Sequence, residues 1–235
     1  MDKKTIKILN QINKEFYLKT QVYFNRTRQF YWEGWEKLLP HLQGSTLKVL
    51  DVGCGNGRFG KFLQEKIKKV NYVGIDNNQY LLNEAEKTVK QGKLINQDIL
   101  GKWLIKGKFD LIVFFGVLHH IPGKENRLKL LKKAKDYLKP GGLLVFSNWH
   151  FKKFKRFNSY VISWKKAGLS KSQVERNDYI LDWKKGVTAY RYVHLVDDQE
   201  IKWLVSKLEM ELVETFTADG KQGQGNKYII LKSAA

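Results

Sequence analysis

Residues 51–60 read DVGCGNGRFG, an acid followed by glycines at 53, 55, 57 and 60. Upstream, 47–52 is a short apolar run, LKVLDV, and downstream GRFGKFLQEKI has the periodicity of an amphipathic helix. A strand that stops at glycines and hands over to a helix brings backbone amides and a helix N-terminus close to a ligand, because glycine has no Cβ to bar approach. Gly53, Cys54, Gly55 and Gly57 are therefore candidate binding positions. Gly55, Gly57 and Gly60 also spell GxGxxG, the dinucleotide fingerprint. Asp51 argues against that reading: an acid at the strand end repels a pyrophosphate and welcomes a cationic amino-acid moiety.

Outward from this loop the same alternation repeats. NYVGID closes on Asp76, with Asn77 next, at a distance from the glycines where a carboxylate accepts both ribose hydroxyls. LINQDI ends in Asp98 and Ile99, suited to an exocyclic amine and to packing on a ring. KFDLIVFFGV carries Phe115 and runs into Leu118, His119 and His120; GGLLVFSNW follows Lys139, Pro140 and Gly141. Helical stretches near 78–91 and 124–138 separate the strands, so the pattern predicts a parallel sheet with helices on both faces. A helix DDQEIKWLVSKL and strands MELVETFTA and NKYIILK complete the chain. Three strand-end acids in this order around a glycine loop resemble the class I S-adenosylmethionine-dependent methyltransferases. The resemblance implies an α/β, Rossmann-like fold with a seven-stranded, mostly parallel sheet and S-adenosyl-L-methionine as cofactor. Asp51 would face its ammonium, Asp76 its ribose and Asp98 its adenine, with Gly53, Cys54, Gly55, Gly57, Asn77, Ile99, Phe115 and Leu118 completing the cofactor set.

Four segments are expected: an N-terminal helical extension over 1–46, the cofactor core over 47–149, an insertion over 150–192 after the fifth strand, and a C-terminal helix with closing strands over 193–235. In the extension, Ile6, Leu9, Ile12, Phe16 and Tyr17 recur at helical intervals. From 151 to 192, ten lysines and arginines besides Arg191 stand among nine aromatics and three acids. Lys152, Lys153, Lys155, Arg156, Lys165 and Lys166 offer charge there, and Phe154, Phe157 and Trp164 offer stacking surfaces for unpaired bases.

Composition narrows the function classes. No run reaches the roughly 18 uncharged apolar residues of a membrane span, and the first residues lack a signal-peptide core, so a cytoplasmic home is expected. A single cysteine, Cys54, offers neither a disulfide nor a zinc centre, and no metal site is expected. The net charge of +20 draws the protein toward phosphate backbones or anionic lipids. Lysine supplies 36 of the 43 basic residues, so each of the seven arginines stands out, and Arg28, Arg58 and Arg191 fall inside motifs.

Methyl transfer from a sulfonium is an in-line displacement whose main demand is orientation in a dry site. No NPPY-like tetrad for base amines is present, and the only cysteine lies in the cofactor loop, which leaves an oxygen nucleophile. His119 or His120 is then a base for a hydroxyl, a donor to a carboxylate, or simply a structural histidine. A narrower resemblance is to the tRNA methyltransferases that esterify 5-carboxymethyluridine at the wobble position. Phe24, Thr27, Arg28 and Trp32 fit that family's FxxTRxxxW, GCGNGR at 53–58 its glycine motif, Val117 to His120 its AVLHH, and Arg191, Tyr192, Val193 and His194 its RYYH, with valine in place of an aromatic. The resemblance implies tRNA as partner, Arg28 and Arg191 clamping the substrate carboxylate, and His119 or His120 orienting it, with His194 in the same catalytic set. It also brings in a small zinc-binding activator protein, which works with the family's eukaryotic members. Two other readings stay open: a small-molecule O-methyltransferase with the insertion as a lid, and a non-catalytic RNA- or partner-binding protein.

Overall fold

The structure is a computed structural model that describes residues 1–183 and 186–234; Lys184 and Lys185 of the basic insertion and the side chain of Arg156 lie outside the described residues. Helix α1 (Lys3–Arg26) starts where the Asp2 carboxylate accepts the Thr5 N–H at 2.8 Å, and it continues past Tyr17, the last of the helically spaced apolar residues, to Arg26. A one-turn helix α2 (Glu33–Glu36) and a 3-10 turn at Leu39–His41 lead into the core. There β1 (Leu47–Val52), α3 (Arg58–Lys66), β2 (Val70–Asp76), α4 (Gln79–Thr88), β3 (Gly92–Asn96), β4 (Phe109–Phe115), α5 (Lys124–Lys135) and β5 (Leu138–Trp149) alternate as the sequence pattern requires. Next come α6 (Lys155–Asn158), β6 (Val161–Ile162), β7 (Asp178–Asp182) and β8 (Tyr190–His194), and then α7 (Asp198–Leu208), β9 (Glu211–Ala218) and β10 (Asn226–Lys232).

The main sheet has seven strands in the order β3-β2-β1-β4-β5-β10-β9. Every pairing from β3 to β5 is parallel, and β10 runs antiparallel to β5 and β9. Successive side chains of a strand point to opposite faces. Thus Leu50 and Val52 of β1 enter one apolar layer with Phe114, Leu131 and Leu204, while Leu47 and Val49 enter the other with Trp35, Phe62 and Tyr228. Strand order reverses between β1 and β4, so their C-terminal ends open a crevice, the usual ligand position in such sheets.

The segment over 150–192 has more regular structure than its composition suggests. Strands β6, β7 and β8 form a small antiparallel sheet. Strand β8 continues to His194, across the expected boundary between 192 and 193. Leu169, Ile180 and Tyr192 pack on Leu9 of α1, with Trp164 half-buried beside them. An ionic cluster ties the small sheet to the core. The fully buried Arg127 of α5 donates from Nε to Glu200 at 2.6 Å and from Nη2 to Glu175 at 2.7 Å. His194 lies 2.6 Å from Asp178 through Nδ1 and 2.7 Å from Glu200 through Nε2. Carboxylate oxygens only accept, so both ring nitrogens carry protons. Burial pulls the His194 pKa down, but the bonds to Asp178 and Glu200 outweigh it and the net shift is upward. Glu175, Asp178 and His194 have the spacing of metal ligands, yet the Arg127 guanidinium already supplies the positive charge among them.

Candidate active site

A cleft of about 1090 Å³ opens at the carboxyl ends of the central strands, walled by the glycine loop, the turn after β4, α1 and the small sheet's approach. The loop owes its shape to glycine. Gly55 has φ +54°, and a Cβ there would project into open space in the cleft. Gly57, at φ +73°, begins α3, and a Cβ would strike Ala85 and Val89 of α4 at 2.8 Å. Gly57 therefore shapes the loop without lining the cleft, and Gly53 and Cys54 line it. Burial pushes the Cys54 thiol well above its ordinary pKa, so it is an inert wall group.

Asp51 is almost wholly buried at the end of β1, and the Tyr72 hydroxyl donates to it at 2.6 Å. Burial raises its pKa to about 7, against the pull of that hydrogen bond. Asp76, at the end of β2, accepts the N–H groups of Gly55 and Asn78 at 2.9 Å each, which couples the second strand to the glycine loop. Burial raises its pKa and the backbone amides oppose the rise. Asn77 is exposed and Asp98, also exposed, accepts the Leu100 N–H at 2.9 Å; both line the cleft with Ile99 and Phe115. Leu118 does not line it: with no exposed surface, it belongs to the apolar layer beneath, because a 3-10 turn has about three residues per turn and sends Leu118 away from the side that carries His119 and His120.

On the opposite wall, Arg28, Arg191, His119 and His120 share the cleft. The Arg191 guanidinium lies 5.1 Å from the Phe16 ring centroid and 4.6 Å from that of Trp149, with Nε buried and unpaired. Burial lowers its pKa to about 10, with Arg28 adding to the fall. Arg28 stands 4.1 Å over Phe24 and donates to the Thr27 hydroxyl. Arg58 lies over Trp32 and Trp35 and is pulled to about 10, first by burial and then by Arg28. Among the described residues none of the three pairs with a carboxylate. Three guanidinium groups without acid partners in one cleft are a site for an anion.

The histidines differ in their bonds. His120 Nδ1 lies 3.1 Å from the Tyr192 carbonyl, which only accepts, so Nδ1 carries the proton and Nε2 accepts from the Tyr17 hydroxyl at 2.8 Å. Burial raises the Tyr17 pKa, and the neighbouring Arg191 charge opposes the rise. Burial, reinforced by Arg191, drops the His120 pKa to about 3. His119 is buried with Nδ1 unpaired, and burial holds it well below the ordinary value. Both rings are therefore neutral at pH 7. His194 does not line the cleft, and both its nitrogens are engaged by Asp178 and Glu200.

The sequence reading took Tyr17 only as an apolar helix position and passed over Asn13. Asn13 of α1 donates to the His120 carbonyl at 3.1 Å and accepts the Tyr192 N–H at 2.9 Å, which pins the turn after β4 to β8. The available signal was a polar residue inside the apolar face formed by Leu9, Ile12 and Phe16.

The profile of the methyltransferase domain matches residues 23–215. The chain belongs to this methyltransferase family. The domain has the class I, S-adenosylmethionine-dependent methyltransferase fold, and the site fits that cofactor: among the described residues Asp51 is a buried carboxylate with no ion-pair partner, and Gly55 leaves open space in the same cleft. The chain is 32% identical over 134 residues to a protein of Encephalitozoon cuniculi named only as a methyltransferase, covering 57% of this chain and 60% of that one. It is 35% identical over 117 residues to the tRNA U34 carboxymethyltransferase of Pseudoalteromonas atlantica, covering 47% of this chain and 35% of that one. It thus spans between about a third and three fifths of these relatives. An S-adenosylmethionine-dependent methyltransferase of Clostridium acetobutylicum shares the fold, with TM-score 0.67 at 18% identity over 93% of this chain and 99% of that one.

Proposed function

We propose that this methyltransferase esterifies the carboxylate of a 5-carboxymethyluridine-type wobble nucleotide in tRNA. The observation that carries the reading is the placement of Arg28 and Arg191 in one cleft without acid partners, Arg191 with a buried, unpaired Nε. A guanidinium matches a planar carboxylate in two parallel bonds, and its charge is least screened where water is excluded. Asp51, Asp76, Asp98 and the glycine loop would hold the cofactor, with Asn77, Ile99 and Phe115 beside them. When bound, S-adenosylmethionine supplies a methyl group made electrophilic by its sulfonium. The chain's own residues bind, orient and dry the site. Arg28 and Arg191 fix the carboxylate, the Phe16 and Trp149 rings flank the Arg191 guanidinium, and neutral His119 offers an uncharged polar wall. An ionised carboxylate oxygen needs no proton removed, so a neutral His119 and a hydrogen-bonded His120 are no handicap.

The Pseudoalteromonas relative's name concerns U34 of tRNA and a carboxymethyl group. That supports tRNA as the substrate class, with the activator protein of the resemblance as an open partner. A second reading, a small-molecule O-methyltransferase, draws on the aromatics Trp149, Phe154, Phe157 and Tyr160, which line the cleft as a lid over an apolar acceptor would. The deciding experiment uses methyl-labelled cofactor with bulk tRNA, with and without nuclease. The expected result is label in tRNA that mild alkali releases as methanol. Label that resists alkali refutes the carboxylate acceptor, and a nuclease-insensitive acceptor moves the function to a small molecule.

A further inference from the structure

We propose that the exposed face of α1 is the docking surface for the phosphate backbone of an unpaired RNA strand entering the cleft; this rests on the tRNA reading above. Lys3, Lys7 and Lys14 are exposed on α1, and all three line the cleft together with Asn10, Gln11 and Leu18 of the same helix. Their spacing puts them on one face, since residues three or four apart on a helix are neighbours. At 1.5 Å per residue the stripe from Lys3 to Lys14 extends over roughly 16 Å. Among the described residues none of the three forms an ion pair, so their charge faces outward.

The opposite face of the helix is apolar, with Leu9 and Phe16 buried against the small sheet, so α1 is held rigidly with its lysines at the mouth. Inside that mouth the walls turn aromatic at Trp149, Phe154, Phe157 and Tyr160. Phosphates outside and aromatic rings within suit an unpaired strand that turns one base inward, because stacking accepts any base while lysine neutralises the backbone. By contrast Lys152 and Lys153 are exposed on the insertion without lining the cleft, and Lys152 sits 4.3 Å over the Tyr179 ring. Position, and not the total charge, distinguishes α1.

The test is Lys3→Glu/Lys7→Glu/Lys14→Glu beside Lys152→Glu/Lys153→Glu/Lys155→Glu, which changes net charge equally. Affinity for bulk tRNA is measured against salt concentration for both and for the wild type, with calorimetric S-adenosylmethionine affinity as the check that each variant is folded. The α1 variant is expected to lose at least tenfold in tRNA affinity, with the slope of log affinity against log salt reduced by about 2, at roughly 0.7 per single-strand phosphate. The insertion variant is expected to lose markedly less. Equal losses in both would reduce the effect to net charge and overturn the proposal, as would an α1 variant with wild-type affinity while tRNA is still methylated. If the wild type neither binds nor methylates tRNA, the tRNA reading fails and this surface fails with it. Loss of binding to anionic vesicles by the α1 variant, with tRNA binding intact, assigns the face to a membrane surface instead.

Discussion

Asp51 shows how one residue can report on the cofactor site. Its pKa of about 7 in the folded protein stands far above the ordinary 3.8, because burial penalises the anion more than the Tyr72 hydroxyl favours it. A cationic ammonium placed beside it would restore the charge, so binding should expel a proton near and below pH 7. Cofactor affinity should then rise up to tenfold per unit as pH climbs toward 7 and level off above it. Calorimetry in buffers of different ionisation enthalpy measures the released proton, and Asp51→Asn should abolish both the release and the pH dependence. Arg191 makes a separate case. Its guanidinium lies against aromatic rings on two sides, which a lysine ammonium cannot reproduce. Arg191→Lys and Arg191→Ala should each cost on the order of 2 kcal/mol in kcat/KM, about thirtyfold, with similar values for the two. Near-wild-type turnover in the lysine variant would show that a point charge suffices.

Among elements, β8 couples the site to stability. Arg191 and His194 stand on this one strand, three residues apart, and the first faces the cleft while the second joins the ionic cluster. His194→Ala leaves the fully buried Asp178 without its cationic partner, while Glu200 keeps Arg127, a change worth about 3–5 kcal/mol. Because the folded-state pKa is raised above 6.5, the stabilisation is complete below pH ~6.5 and fades as pH rises through the folded-state value. Denaturant unfolding at pH 6 and pH 9 should show a wild-type stability advantage that is larger at pH 6, and His194→Ala should remove that part of the difference. The cofactor strands were legible because each apolar run ended in an acid or a glycine, signals local to a few residues. Strand β8 was not. RYVH has no alternation of its own, and its strand character comes from pairing with β7 and from burial of Tyr192 against α1, contacts distant in sequence. For the same reason the sequence grouped Arg191 and His194 in one motif, though the pleat and a ring of acids send them to different tasks.

At the scale of the molecule, a net charge of +20 opposes folding and favours the polyanionic substrate proposed above. The sequence made the excess plain but not its placement, since only the docking of α1 on the small sheet turns Lys3, Lys7 and Lys14 toward the cleft. In the free protein these charges repel one another, and that repulsion destabilises the compact state at low ionic strength. Added salt shortens the screening length from about 30 Å at 0.01 M to about 8 Å at 0.15 M, so it should relieve the repulsion. Thermal unfolding of the free protein is expected to shift upward by a few degrees across that range, corresponding to on the order of 1 kcal/mol for a chain of this size. The same change must weaken tRNA binding steeply, because each phosphate contact gives back condensed counterions. A small-molecule acceptor would leave KM nearly level while the melting temperature still rose. Salt titration of melting temperature and of KM for the acceptor in the same buffers therefore separates the two substrate classes: divergent trends mean that the protein's excess charge is used on a polyanion, and a level KM means that it is not.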